Sequence, residues 1–94
     1  MAGAVIVARV RSLMRRGRYR LTLHAERERD ADRIQIVELE QALSADSLEV
    51  IEDYPDDPRG HSHLVLGFTD SGLPVHAVYA RFTRSLLAVH RRRS

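Results

Sequence analysis

The chain has 94 residues, among them 15 arginines, 13 acids and five histidines but no lysine or cysteine, and its formal net charge is +2. A chain of that length removes only about 60–65% of its unfolded surface from water, so one domain over residues 1–94 with one modest core is expected, and a large multi-step enzyme is excluded. The missing cysteine excludes a disulfide framework, a thiolate zinc site and cysteine nucleophilic chemistry.

The apolar start, Met1 to Ala8, is too short to span a membrane and lacks the basic leader of a secretory signal, so a cytoplasmic location is expected. Ile6, Val10, Leu13 and Met14 fall on one helical stripe, and Gly17 after Arg15-Arg16 supplies a C-cap, which predicts an amphipathic helix over about residues 3–16. Tyr19, Leu21 and Leu23 alternate with polar residues as a short extended segment, and Thr22 is placed to cap a second helix running to about Glu28 or Asp30. A polar turn at Asp30–Arg33 leads to a third helix from about Gln35 to Ser44, with Ile36, Leu39 and Leu43 on its apolar stripe and Glu38 at the far end of a capping box.

Leu48 to Tyr54 reads as a strand stopped by the loop Pro55–Gly60. His63 to Phe68 and Leu73 to Phe82 read as strands joined by the hairpin turn Asp70-Ser71-Gly72, and Leu86 to His90 as a fourth strand. Short sequential connections predict an α+β fold, with two or three N-terminal helices packed on one face of a four-stranded antiparallel sheet.

Charge is segregated along the chain. Met1 to Arg20 holds six arginines and no acid, Arg81 to Ser94 five and no acid, and Ala25 to Pro58 twelve acids against three arginines. If the two ends meet, they form one basic surface for a polyanion, with guanidinium groups that stay charged and grip phosphate bidentately. Arg18, Arg20, Arg81, Arg84 and Arg91 are the candidate RNA contacts on that surface. Two solvated faces and a basic tail are the alternative reading of the same charges.

The chemically able side chains are histidines, arginines, tyrosines and acids, an inventory suited to phosphodiester cleavage without metal. Such a reaction needs a base for the 2′-hydroxyl, an acid for the leaving 5′-oxygen and a cation for the charge on phosphorus. Histidine performs either proton step near neutral pH and arginine supplies the cation. His24 and Arg27 share a helix face at i and i+3. His76 interrupts an apolar strand, where an imidazole must find a partner or face a cleft; by parity it lies with Val78 and Ala80, opposite Ala77 and Tyr79. His61-Ser62-His63 has the look of a metal pair, but no third ligand stands at readable spacing, so a turn-to-strand entry is the simpler reading and no metal or cofactor is expected.

His24-Ala25-Glu26-Arg27-Glu28-Arg29, the helix ending in Ala42-Leu43, Val50-Ile51-Glu52-Asp53-Tyr54-Pro55, Leu64-Val65-Leu66-Gly67 and Gly72-Leu73-Pro74-Val75-His76-Ala77-Val78 together resemble the domain-of-unknown-function family four-two-five-eight, over roughly residues 19–90. That family is similar to the RelE-like toxins, of the RelE/MqsR-like superfamily. The resemblance implies a RelE-like fold of helices followed by four strands, metal-independent endoribonuclease activity and a zinc-finger antitoxin as partner. Its motif histidine and arginine fall on His24 and Arg27 and its strand histidine on His76. The family's last strand commonly ends in a Thr-x-Tyr-like motif; here Ala88-Val89-His90 stands in its place, so that His90 replaces the tyrosine as a proton-transfer group or the activity is lost. The turn before the third helix also has Asp32-Arg33 where Arg-Gly is usual.

The leading expectation is therefore an mRNA-interferase-like ribonuclease, the toxin of a toxin–antitoxin pair, with His24, Arg27, His76 and His90 at its centre and Arg81 or Arg84 helping to bind phosphate. The alternative is a catalytically inactive module of the same fold that binds nucleic acid or protein through its arginine-rich ends. A metal-dependent hydrolase using His61 and His63 is a third.

Overall fold

A computed structural model of the chain describes residues 2–91. Helix α1 (Ala2–Arg16) buries Ile6, Val10, Leu13 and Met14, the predicted stripe, and presents arginine outward. It stops at Gly17, whose φ of 64° is the left-handed turn that a residue with a Cβ enters at a cost. There the Gly17 and Arg18 amides donate back to the Met14 and Leu13 carbonyls.

Strand β1 is only Arg20–Leu21, after which Thr22 Oγ1 accepts from the Ala25 amide at 3.1 Å and starts α2 (Leu23–Ala31). Helix α3 (Ile36–Ser44) begins with the Gln35 amide donating to the Glu38 carboxylate at 3.0 Å, and it buries Leu39, Ala42 and Leu43. Strands β2 (Glu49–Tyr54), β3 (Ser62–Phe68), β4 (Pro74–Ala80) and β5 (Ser85–Arg91) follow.

The sheet order is β1-β5-β4-β3-β2. Strands β2 to β5 form the predicted antiparallel meander, but β1 adds itself parallel to β5, so the sheet is mixed and five-stranded rather than four-stranded and antiparallel. The Arg20 amide donates to the Arg84 carbonyl and the Thr22 amide to Leu86, so the short extended segment expected at Tyr19–Leu23 joins the sheet through two residues.

One face of the sheet makes the core. Val65 on β3, Val75, Ala77 and Tyr79 on β4, and Leu86 and Val89 on β5 pack with the buried residues of α1 and α3. Helix α3 approaches β3 closely, and Gly67 is the reason it can: a Cβ there would stand 1.9 Å from the Ala42 carbonyl oxygen. Helix α2 instead packs along β5, where β1 leaves the edge uncovered. The Glu28 carboxylate accepts from the Val89 amide at 3.1 Å and Asp32 from the Arg91 amide at 2.9 Å. These two acids satisfy edge donors that would otherwise lack a sheet partner.

Among the described residues no helix is long and apolar enough to cross a membrane.

Candidate functional site

Helix α2 and the far end of β5 bring two of the predicted histidines, His24 and His90, to one carboxylate. His24 and Glu28, one turn apart, meet at 3.3 Å between Nε2 and Oε1, and His90 Nε2 reaches the other oxygen of the same carboxylate at 2.6 Å. His76 stands directly opposite His90 on β4 and opposite Leu66 on β3. Directly paired residues put their Cβ atoms about 4.5–5.5 Å apart on one face of the sheet. Because the carboxylate engages each ring through Nε2, the Nδ1 nitrogens of His24 and His90 are left for other partners. Both imidazoles are open to solvent, with side-chain exposures of 70% and 52%.

Glu28 is the residue that sequence reasoning missed. It sits among Glu26, Arg27 and Arg29, a run that reads as a solvated helix face. Only the docking of α2 on β5 turns it inward, where 16% of its side chain remains exposed. Arg27, one turn from His24, is exposed on α2, and Arg91 is exposed beside His90. Arg29, by contrast, is structural: it pairs with Glu26 at 2.8 Å and donates to the Ile34 carbonyl at 2.9 Å, tying α2 to the following turn.

The geometry differs from the expected grouping of these histidines with Arg81 or Arg84. The core face belongs to α1 and α3, while His76 and His90 lie on the opposite face, so the cluster forms at the sheet edge. Arg81 and Arg84 are not in it. Ser85, where β5 begins, is five residues from His90, about 17 Å along an extended strand.

Arg81 and Arg84 belong to a groove of about 760 Å³ at the other end of β4 and β5, lined also by Arg9, Arg16, Arg18 and Phe82, with no acidic residue in its wall. Phe82 is 79% exposed on the β4–β5 turn, an aromatic face standing among guanidinium groups. The two basic chain segments therefore meet through Arg9, Arg16 and Arg18 with Arg81 and Arg84, while Arg91 stands at the far end of β5; Arg92 and Arg93 lie outside the described residues. Arg18 and Arg20 flank Phe82 and Arg84 on the β1 side, so the edge reads Arg84, Arg18, Arg20, then α2 with His24 and Arg27, then His90 and Arg91.

A second polar cluster lies at the groove end of the sheet. His61 Nε2 and His63 Nδ1 both contact Asp53 Oδ1, at 2.5 and 2.9 Å, and Arg81 Nη1 meets His61 Nδ1 at 3.3 Å. The neighbouring imidazoles hold the Asp53 carboxyl below its ordinary range, and burial pushes His63 down. His63 Nε2 and the Tyr79 hydroxyl are the buried side-chain polar atoms without a hydrogen-bond partner among the described residues. They come from directly paired positions of β3 and β4. The third group missing from the His61–His63 pair in sequence is thus Asp53, eight residues before His61 and across the loop.

No curated protein and no solved structure matches the chain. Residues 21–89, which carry α2, α3, β2 to β4 and most of β5 and include His24, Glu28 and His76 but stop one residue before His90, match the family described as Domain of unknown function (DUF4258), and the chain belongs to that family.

Proposed function

We propose that the protein is a metal-independent endoribonuclease of the RelE-like kind, acting on RNA in the cytoplasm as the toxin of a toxin–antitoxin pair and held in check by a zinc-finger antitoxin. The observation that carries this reading is the Glu28 carboxylate clamping His24 and His90, with His76 on the adjacent strand. Two imidazoles positioned side by side supply the two proton transfers the reaction needs.

One Nδ1 takes the proton of a ribose 2′-hydroxyl, whose oxygen attacks phosphorus. The P–O5′ bond breaks, and the departing 5′-oxygen takes a proton from a second imidazole, leaving a 2′,3′-cyclic phosphate and a 5′-hydroxyl. Arg27, one turn from His24 on α2, is the guanidinium that receives the charge gathering on phosphorus. Glu28 is a positioning residue: it fixes which ring nitrogen faces the substrate. The basic edge from Arg84 through Arg18 and Arg20 gives the rest of the RNA strand a path towards His24.

The test is incubation of the purified full chain with single-stranded RNA at low salt in excess chelator. The expected result is cleavage to cyclic-phosphate ends, reduced about 10²–10⁴-fold by His24→Ala or His90→Ala and about 10–100-fold by Glu28→Gln with a displaced pH profile. No cleavage, or cleavage that survives loss of both histidines, overturns the assignment. The groove around Phe82, at the opposite end of β5 from His90, favours a second reading as an inactive nucleic-acid-binding module. That reading predicts salt-sensitive binding without cleavage, indifferent to His24 and His90.

A further inference from the structure

We propose that Asp53, His61 and His63 form a binding site for one divalent transition-metal ion of the zinc class, separate from the histidine cluster on α2 and β5. The three side chains reach one point from different places in the fold. Asp53 lies near the end of β2, His63 faces it across the β2–β3 ladder, and His61 enters from the loop just before β3. One donor atom from each lies within 4.8 Å of the other two. Two of the three separations, 2.5 and 2.9 Å, are those of a carboxylate oxygen shared by two imidazoles.

An ion held at about 2.0–2.2 Å from nitrogen and oxygen donors needs only a small opening of this triangle. Two imidazoles and a carboxylate without thiolate suit zinc, cobalt or nickel rather than calcium or magnesium, and three protein ligands leave a fourth position for water.

The burial of His63 also bears on its role as a ligand. The His63 side chain is 4% exposed on a central strand, a place where an imidazole is costly unless both its nitrogens are used. One nitrogen shares Asp53 Oδ1 with His61, and the other has no partner among the described residues. With an ion on Nδ1, the Nε2 proton becomes a donor, and the Tyr79 hydroxyl of the directly paired residue, the other buried group without a partner among the described residues, is not hydrogen-bonded to it in this structure and would have to turn to accept it. Ligating histidines usually have such a partner for their second nitrogen.

Arg81 opposes the ion. Its guanidinium meets His61 Nδ1, which an ion on Nε2 converts from acceptor to donor, so Arg81 must turn into the groove shared with Arg9 and Arg84.

The experiment is calorimetric titration of the untagged, chelator-stripped full chain with zinc, repeated with cobalt to read the ligand-field absorption of a low-coordinate site. The expected result is one saturable site, weakened at least 100-fold by Asp53→Asn or His61→Gln. It is unchanged by a His24→Ala, His90→Ala double variant and tightened by Arg81→Ala. Absence of saturable binding, binding that persists in an Asp53→Asn, His61→Gln double variant, or binding lost with His24 and His90 overturns the proposal. Ribonuclease activity in excess chelator is unaffected by these Asp53 and His61 changes, so the two sites stand or fall separately.

Discussion

At the scale of single residues, backbone space matters as much as chemistry. Gly67 lies near the end of β3 and looks, in sequence, like a weak point in an apolar strand. Its hydrogen is what lets α3 lie against the sheet, since a methyl group would stand 1.9 Å from a backbone oxygen that cannot rotate away. Gly67→Ala is therefore expected to cost about 3 kcal/mol or more, at the upper end of overpacking substitutions, read as a fall in the urea midpoint at unchanged slope. A cost below about 1 kcal/mol would mean that α3 yields easily. The histidines were legible in sequence as able groups, and His76 also by its parity. Glu28 and Asp53 were not, because a carboxylate in a charged helix or at a strand end has no pattern of its own; its meaning comes from what the fold sets opposite it.

At the scale of elements, the three helices and the four long strands announce themselves by period and by caps: Thr22, Glu38 and Gly17 act where the sequence places them. Strand β1 announces itself only as a short extended segment, through the alternation of Tyr19 and Leu21, and its parallel pairing with β5 leaves no turn signal. That small strand decides where α2 sits. By ending at Leu21 it leaves the later amides of β5 open, and Glu28 and Asp32 accept from them. The placement of His24 beside His90 follows from this capping of a sheet edge by a helix. Asp32→Ala is expected to cost about 1 kcal/mol and to speed hydrogen exchange at the Arg91 amide, while the Val89 amide, held by Glu28, keeps its protection. Equal acceleration at both amides would mean that α2 detaches as a unit and that its carboxylates do not act singly.

At the scale of the molecule, the segregation of charge seen in the sequence becomes a surface. Arginines of α1, of the segment entering β1 and of the β4–β5 turn converge on one groove, with Phe82 standing out of it. Guanidinium groups and an aromatic ring make different demands on a ligand, so their contributions separate experimentally. Each phosphate contact that is lost lowers the dependence of log affinity on log salt by about 0.7 for a single strand, whereas a stacked base contributes about 1–3 kcal/mol with little salt dependence. In a His24→Ala background that prevents cleavage, the Arg18→Ala, Arg84→Ala pair should therefore reduce the salt slope for single-stranded RNA by about 1.4. Phe82→Ala should leave the slope unchanged and weaken binding about tenfold or more at every salt concentration. An unchanged slope in the arginine pair would place the RNA elsewhere on the molecule, and an unchanged affinity in Phe82→Ala would leave the groove a purely electrostatic one.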